Sequence, residues 1–434
     1  MQHAQPSDIA ARSGRTVVRL GAAIDAERML APAVAVMEAG ALVAVDTPEA
    51  IGRIDAPAVD RSGHVALPPL VNAHAHLDLT SVGLVPFDGT FAHWAAQVRE
   101  RRASKPQEIE ASVQEGVRRS AAGGTGFIGD IAGNFGLAAL EALRAAAPAA
   151  GIEGVSFVEV FGIGNASARG VEFLRGLAER VPAELGGIRL GASPHAPYSC
   201  DDAVYRAAAE LGIPVATHLS ETLDEVRFVR DGSGPFEGLL QSVGAWTPEL
   251  RGWACDPVAR VLPLVRRRGA LLVHLNYLTD AALDMLAVEG RGDRPPVTVY
   301  CPRASAFFRH PAEGHAPHRY RELLAAGVPV ALGTDSAIML GDAPAISVLD
   351  EMRLLHRRDG THPRLLVAMA TVHGAQALGL ARHRVLLPRA GAAGARNAIA
   401  VPAGPADELP GEWLRRALES DRPCEWLAMA AAQG

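Results

Sequence analysis

The sequence predicts an α/β protein built as a (β/α)8 barrel of the TIM type, with a small β-sandwich module assembled from both chain termini. Three observations carry that expectation. Eight short apolar runs alternate with long amphipathic stretches, polar residues with ligand or acid-base chemistry stand where those runs stop, and further short strand-like segments lie at both ends of the chain.

The runs are Ala66 to His74, Gly124 to Asp130, Val155 to Phe161, Ile188 to Ser193, Val215 to His218, Leu271 to His274, Val297 to Cys301 and Val328 to Thr334. Between them, Ile109 to Ala122, Leu137 to Ala147, Val171 to Arg180 and Asp202 to Leu211 read as helices with one apolar face. Ile346 to His356 and Leu365 to Leu378 read as helices that cover the last strand. The amino-terminal segments Thr16 to Leu20, Val34 to Met37 and Ala41 to Val45 are too few to bury two faces. They are expected to borrow strands such as Val385 to Leu387 and Asn397 to Val401, with a helix near Gly411 to Leu418. Residues 1–66 with 385–434 are therefore expected to form the β module, and 67–384 the barrel.

Composition bounds the function class. The 434 residues are 49% hydrophobic, 21% charged and 5% aromatic, with 44 glycines and 30 prolines, as expected of a globular α/β protein rich in turns. A net charge of −6 without a basic stripe excludes nucleic acid and an anionic membrane surface as expected partners. Short basic clusters such as Arg266-Arg267-Arg268 read as solvated helix faces. Cys200, Cys255, Cys301 and Cys424 are widely spaced and suit neither a disulfide framework nor a thiolate zinc site. With a polar stretch from Met1 to Ser13 and no long apolar window, they point to the cytoplasm.

In His74-Ala75-His76 the strand period of two directs both imidazoles to one side, which suits one metal ion; taken alone, the pair also reads as ordinary polar residues of a strand end. His218 ends the fifth run. Glu221 follows three residues later, where a carboxylate reaches a metal-bound water, or where it caps a helix. His274 ends the sixth run and reads either as a site residue or as a satisfied core histidine. Asp335 follows the eighth run and lies beside the first strand if the barrel closes; its other reading is a helix N-cap. Together, three histidines and one aspartate at the ends of strands one, five and eight make a nitrogen- and oxygen-rich site for Zn or Fe(II).

These motifs resemble the amidohydrolase superfamily, specifically its mononuclear deaminase branch, over nearly the whole chain. His74 and His76 resemble the family's strand-one metal pair, His218 its strand-five ligand, Glu221 its proton-transferring glutamate, His274 its strand-six histidine and Asp335 its strand-eight ligand. Ser193-Pro194-His195-Ala196-Pro197-Tyr198-Ser199, His274-Leu275-Asn276-Tyr277-Leu278, Tyr300-Cys301-Pro302-Arg303 and Ala331 to Ser336 are similar to the group of aminodeoxyfutalosine and S-adenosylhomocysteine or methylthioadenosine deaminases. Atrazine chlorohydrolase-like proteins lie nearby.

The resemblance implies one divalent metal, Zn first and Fe(II) second, held by His74, His76, His218 and Asp335. No lysine follows Lys105 to serve as the carboxylated bridge of binuclear relatives. It also implies a metal-bound hydroxide attacking the amine-bearing carbon of an aromatic heterocycle, such as a 6-aminopurine nucleoside derivative, with Glu221, His274 and Asp335 moving protons and His195 contacting substrate. Trp94 resembles a substrate-side aromatic and equally suits a core helix. Ala304-Ser305 departs from the group's pattern in a loop expected to face substrate, whereas His310, His315 and His318 read as loop residues. Hydrolytic dechlorination of a triazine or pyrimidine ring, and a non-catalytic ligand-binding barrel, are the rival readings. The expected partner is a small molecule, and fold-level analogy admits a homodimer.

Overall fold

The computed structural model describes residues 14–133, 136–265, 269–293, 295–341, 343–404 and 409–432. The segments Met1 to Ser13 and Arg266-Arg267-Arg268 lie outside the described residues. The chain divides into two compact units, one drawn from Met1–Val71, Ala122–Gly126 and Ser347–Gly434, the other from Asn72–Ala121 and Phe127–Ile346.

In the first unit, strands from both ends of the sequence share one seven-stranded sheet. Arg15–Ile24 runs antiparallel to Ala33–Glu38 and parallel to Ala58–Leu67, and Ile399–Pro402 lies antiparallel to Ala58–Leu67 with Ile399 opposite Leu67. Val18, Leu20, Ala35, Val45, Ala66, Ala398 and Leu427 form a buried cluster on this sheet. Helices Val348–Asp359, Pro363–Ala370, Val372–Ala377 and Pro410–Glu419 belong to the same unit. Val385 to Leu387, expected as a strand, is not one: a 3-10 turn spans Arg382–Val385. Side chains take up the backbone of Leu387 instead, its N–H donating to Asp25 (3.0 Å) and its carbonyl accepting from Arg28 (2.6 Å). Pro388, which has no N–H for a ladder, follows at once.

Parallel strands follow, β1 (Leu70–His76) and β2 (Thr125–Ala132), which lie in the second unit from Asn72 and Phe127 onward, and, wholly within it, β3 (Glu153–Val160), β4 (Ile188–Pro194), β5 (Ala216–Leu219), β6 (Leu271–His274), β7 (Val297–Tyr300), β8 (Val330–Leu332) and the short β9 (Asp335–Ser336). The first run, expected from Ala66, splits at Pro68-Pro69, where two prolines cannot donate ladder hydrogen bonds. Hydrogen bonding follows the order β9-β1-β2-β3-β4 in one sheet and β5-β6-β7-β8 in another. Ala192 of β4 bridges Val215 beside β5, while the Gly333 and Thr334 amides donate to the carbonyls of Tyr300 and His74 (both 3.0 Å). The two sheets are thus linked at both ends. All seven residues of β1 and all eight of β2 are buried, the continuous apolar character of strands covered on both faces. Helix Pro106–Ala122 lays Ile109, Val113 and Val117, spaced by one helical turn, into a cluster with Leu77, Ile128, Leu140 and Leu143. Among the described residues no helix is long and apolar enough to cross a membrane.

Candidate metal centre and substrate cavity

The sequence-selected residues meet at the carboxyl ends of the strands. β1 turns His74 and His76 to one side, and Asp335 and Ser336 of β9 pair with Ala75 and His76. A buried clamp fixes this junction: the Asn72 amide nitrogen donates to the Thr334 hydroxyl (2.8 Å), and the Thr334 N–H donates to the Asn72 side-chain oxygen (3.1 Å). Gly333 makes the junction possible. A Cβ there would stand 2.8 Å from His74 Cβ and 2.9 Å from the His74 carbonyl oxygen. Gly333→Ala is therefore expected to push His74 aside and weaken metal affinity about 10- to 100-fold, the usual cost of disturbing a ligand's support. Competition against a chromophoric chelator measures it, and an unchanged affinity contradicts the expectation.

At the end of β5 the chain turns sharply through Ser220, whose φ is +51°. Thr222 caps helix Leu223–Asp231 by accepting from the Glu225 N–H (3.1 Å), and the Glu225 carboxylate reaches back to the N–H groups of Ser220 (2.7 Å) and Glu221 (3.0 Å). This capping box releases Glu221 from the capping role, so its own side chain faces the site. His274 (φ +77°), Leu275 (φ +55°) and Asp335 (φ +57°) also lie in the left-handed region. Each such residue costs on the order of 1–3 kcal/mol, and the gathering of four at one site is how strained backbone aims side chains. The His274 carbonyl is held by His318 Nε2 (2.7 Å), and the Asn276 amide nitrogen donates to the Glu221 carbonyl (3.0 Å).

The atoms that could hold an ion converge. His76 Nε2 lies 3.3 Å from His218 Nε2 and 3.6 Å from Asp335 Oδ1, and His74 Nε2 lies 4.0 Å from the same oxygen. His274 Nε2 is 3.6 Å from Glu221 Oε1 and 3.9 Å from Asp335 Oδ2. His218 Nδ1 lies 2.9 Å from the His195 carbonyl oxygen, which only accepts, so Nδ1 carries the proton and Nε2 offers a lone pair inward. Burial holds the imidazoles of His74, His76 and His274 well below their ordinary pKa and that of His218 down at about 4, so they stand neutral as ligands must. Both ring nitrogens of His74 and of His274 are buried and find no hydrogen-bond partner among the described residues. Unsatisfied buried polar groups are costly, and an ion among three imidazoles and a carboxylate satisfies such a set. The residues present fit a bound divalent metal.

Residues 65–383 match the model of the amidohydrolase family. The chain belongs to that family. It is 27% identical over 348 residues to a 5-methylthioadenosine/S-adenosylhomocysteine deaminase of Pelotomaculum thermopropionicum, covering 76% of this chain and 71% of that one. The solved structure of Helicobacter pylori aminofutalosine deaminase with methylthio-coformycin superposes with a TM-score of 0.74 at 18% identity, over 94% of this chain and 97% of the other. A zinc complex of atrazine chlorohydrolase from Arthrobacter aurescens does so with a TM-score of 0.67 at 20% identity, over 94% and 92%. The fold of the chain is thus of the TIM-barrel type.

As an amidohydrolase, the chain presents a cavity of about 580 Å³ at this site, reached by His76, His218, Glu221, His274 and Asp335. His195 lines it too, its Nδ1 2.7 Å from the Ser199 hydroxyl. Trp94 also lines it and packs edge-on against Phe308 while its indole donates to the Val85 carbonyl (3.0 Å). The Ala304-Ser305 segment does not line the cavity. Helix Pro302–Phe307 turns Ser305 inward, where its hydroxyl donates to the Asn276 side-chain oxygen (2.8 Å), making it a brace behind Glu221. His310 and His318 also stand behind the cavity, the first 2.8 Å from the Tyr277 hydroxyl and the second stacked on Tyr300. Reasoning from sequence missed Glu225, Arg102, Asp78 and Glu159. For Glu225 the signal was Thr222-Leu223-Asp224-Glu225, a capping box; the others carry no local pattern.

Proposed function

We propose that this amidohydrolase is a metal-dependent aminohydrolase that deaminates a 6-aminopurine nucleoside derivative, such as an adenosine thioether or an aminodeoxyfutalosine-type nucleoside. In this reading His74, His76, His218 and Asp335 hold one ion, zinc first and Fe(II) second. The observation that carries the reading is the convergence of His74, His76, His218, His274, Glu221 and Asp335, with both ring nitrogens of His74 and of His274 unbonded among the described residues. Support for the substrate class comes from the deaminase relative and from the nucleoside analogue bound to the structural neighbour. We read 67–384 as the catalytic (β/α)8 barrel, 1–66 with 385–434 as the β-sandwich module, and the four free cysteines as those of a cytoplasmic protein.

A bound divalent ion lowers the pKa of water toward about 7 and supplies a nucleophile at neutral pH. The protein's own groups then divide the proton transfers. Burial, followed by the nearby carboxylates of Asp335 and Glu225, pushes Glu221 well above the usual carboxylate range, which favours the protonated form that a proton donor needs. From that state it donates to the ring nitrogen next to the amine-bearing carbon. His274, 3.6 Å from Glu221 and 3.9 Å from Asp335, orients the attacking oxygen. Asp335 accepts that oxygen's proton, which Glu221, ionised by its first transfer, relays to the departing amine. The balance is one water consumed, the amine leaving as ammonia, and a carbonyl left on the ring.

Incubation with 5′-thio-substituted adenosines, an aminodeoxyfutalosine-type nucleoside and chlorinated triazines, with ammonia and chloride both measured, tests the assignment. Ammonia from the nucleosides is expected. Chloride release alone overturns deamination in favour of hydrolytic displacement.

A further inference from the structure

Beside the proposed metal ligands, one carboxylate in the cavity accepts no hydrogen bond among the described residues. Glu159 projects from β3, is 3% exposed and lines the cavity. Arg102 Nη1 and His195 Nε2 each stand 3.9 Å from its oxygens, beyond hydrogen-bond reach, and among the described residues no hydrogen bond reaches it. Arg102 is committed elsewhere: its Nε donates to Asp78 Oδ2 (3.0 Å) and its Nη2 donates to the same oxygen. Asp78 therefore takes the hydrogen bonds of Arg102, and Glu159 is left with the charge of that guanidinium but none of its donors. Buried carboxylates without donors are costly, and the cost falls when a ligand brings a donor. Burial raises the pKa of Glu159 while Arg102 pulls it down, the balance lying above the ordinary range.

We infer that Glu159 is a specificity-determining residue, accepting a hydrogen bond from an O–H or N–H group of the substrate within reach of His195. Resting on the nucleoside reading above, the inference adds that the substrate presents a donor, and no anion, to β3. Glu159, His195 and His218 each offer an atom within 4.8 Å of the others, so this donor sits close beside the metal set. Two parts of a nucleoside supply it: sugar hydroxyls, or an amino group on the ring. A role for Glu159 as an additional metal ligand is opposed by the guanidinium 3.9 Å away, which repels a second cation.

The test measures affinity apart from turnover, by calorimetry on the metal-loaded Glu221→Gln protein and on Glu221→Gln/Glu159→Gln. Adenosine is compared with 2′,3′-dideoxyadenosine for the hydroxyl source, and with 2,6-diaminopurine riboside for the ring amine. In the parent, the ligand carrying the recognised donor is expected to bind about 10- to 100-fold more tightly than its counterpart, as for a hydrogen bond to a charged group. Glu159→Gln should bring that ratio to within about 3-fold, with metal content unchanged. A ratio untouched by Glu159→Gln, no preference in either comparison, or a loss of metal in the variant overturns the inference. Failure of the aminohydrolase reading shows separately, as absence of ammonia from every nucleoside with wild-type protein.

Discussion

Glu221→Gln is expected to lower kcat by about 10²- to 10⁴-fold, the range that positioned acid-base groups supply, while the protein keeps its metal. Glutamine preserves the shape of the side chain and can still donate an N–H to a ring nitrogen, but it cannot transfer a proton. Its backbone is secured independently of the carboxyl: the N–H donates to Glu225 (3.0 Å) and the carbonyl accepts from Asn276 (3.0 Å). The variant should therefore fold and bind nucleoside with a Kd near that of the wild type. Steady-state ammonia release with metal analysis of the same sample checks this. Near-normal turnover with metal in place contradicts the role given to Glu221.

His218→Ala is expected to act one step earlier, by emptying the centre. His218 offers Nε2 toward His76 (3.3 Å) and is oriented through Nδ1 by the His195 carbonyl. Alanine removes one of four donors and leaves the other histidines more costly to bury. Bound zinc should fall well below one per chain and turnover by about 10⁴-fold, because water without the ion keeps a pKa far above neutrality. Inductively coupled plasma analysis and ammonia release measure the pair of effects. Retention of both metal and turnover would remove His218 from the ligand set. The two variants separate the roles, since one loses proton transfer with metal retained and the other loses the metal.

The histidines at the strand ends were legible because each closes an apolar run: Leu271-Leu272-Val273-His274 spans the observed β6, and β5 ends one residue past His218. Period-two geometry made His74 and His76 readable as a pair. Asp335 was legible through the order of the strands, since its closeness to His76 follows from the last strand returning to the first. Glu159 was not. In Ser156-Phe157-Val158-Glu159-Val160 it reads as a polar residue of a strand, and its lack of a hydrogen bond appears only when Arg102, remote in sequence and just past helix Phe91–Arg101, is found bonded to Asp78. Ser305 misled for the opposite reason: a loop expected at the substrate folds as a short helix and turns the hydroxyl onto Asn276. Val385 to Leu387 misled because a short apolar run carries no periodicity to separate strand from turn, and the decisive partners, Asp25 and Arg28, lie at the other end of the chain.

The central claim, that one ion held by these residues makes the chain a nucleoside aminohydrolase, is tested most directly by titrating zinc into protein stripped with a chelator. Ammonia release from a 5′-thio-substituted adenosine is followed at each addition. The account predicts no release from the stripped protein and a linear rise that breaks at about one zinc per chain. Full turnover by the stripped protein, or no ammonia at any level of zinc or Fe(II), contradicts it.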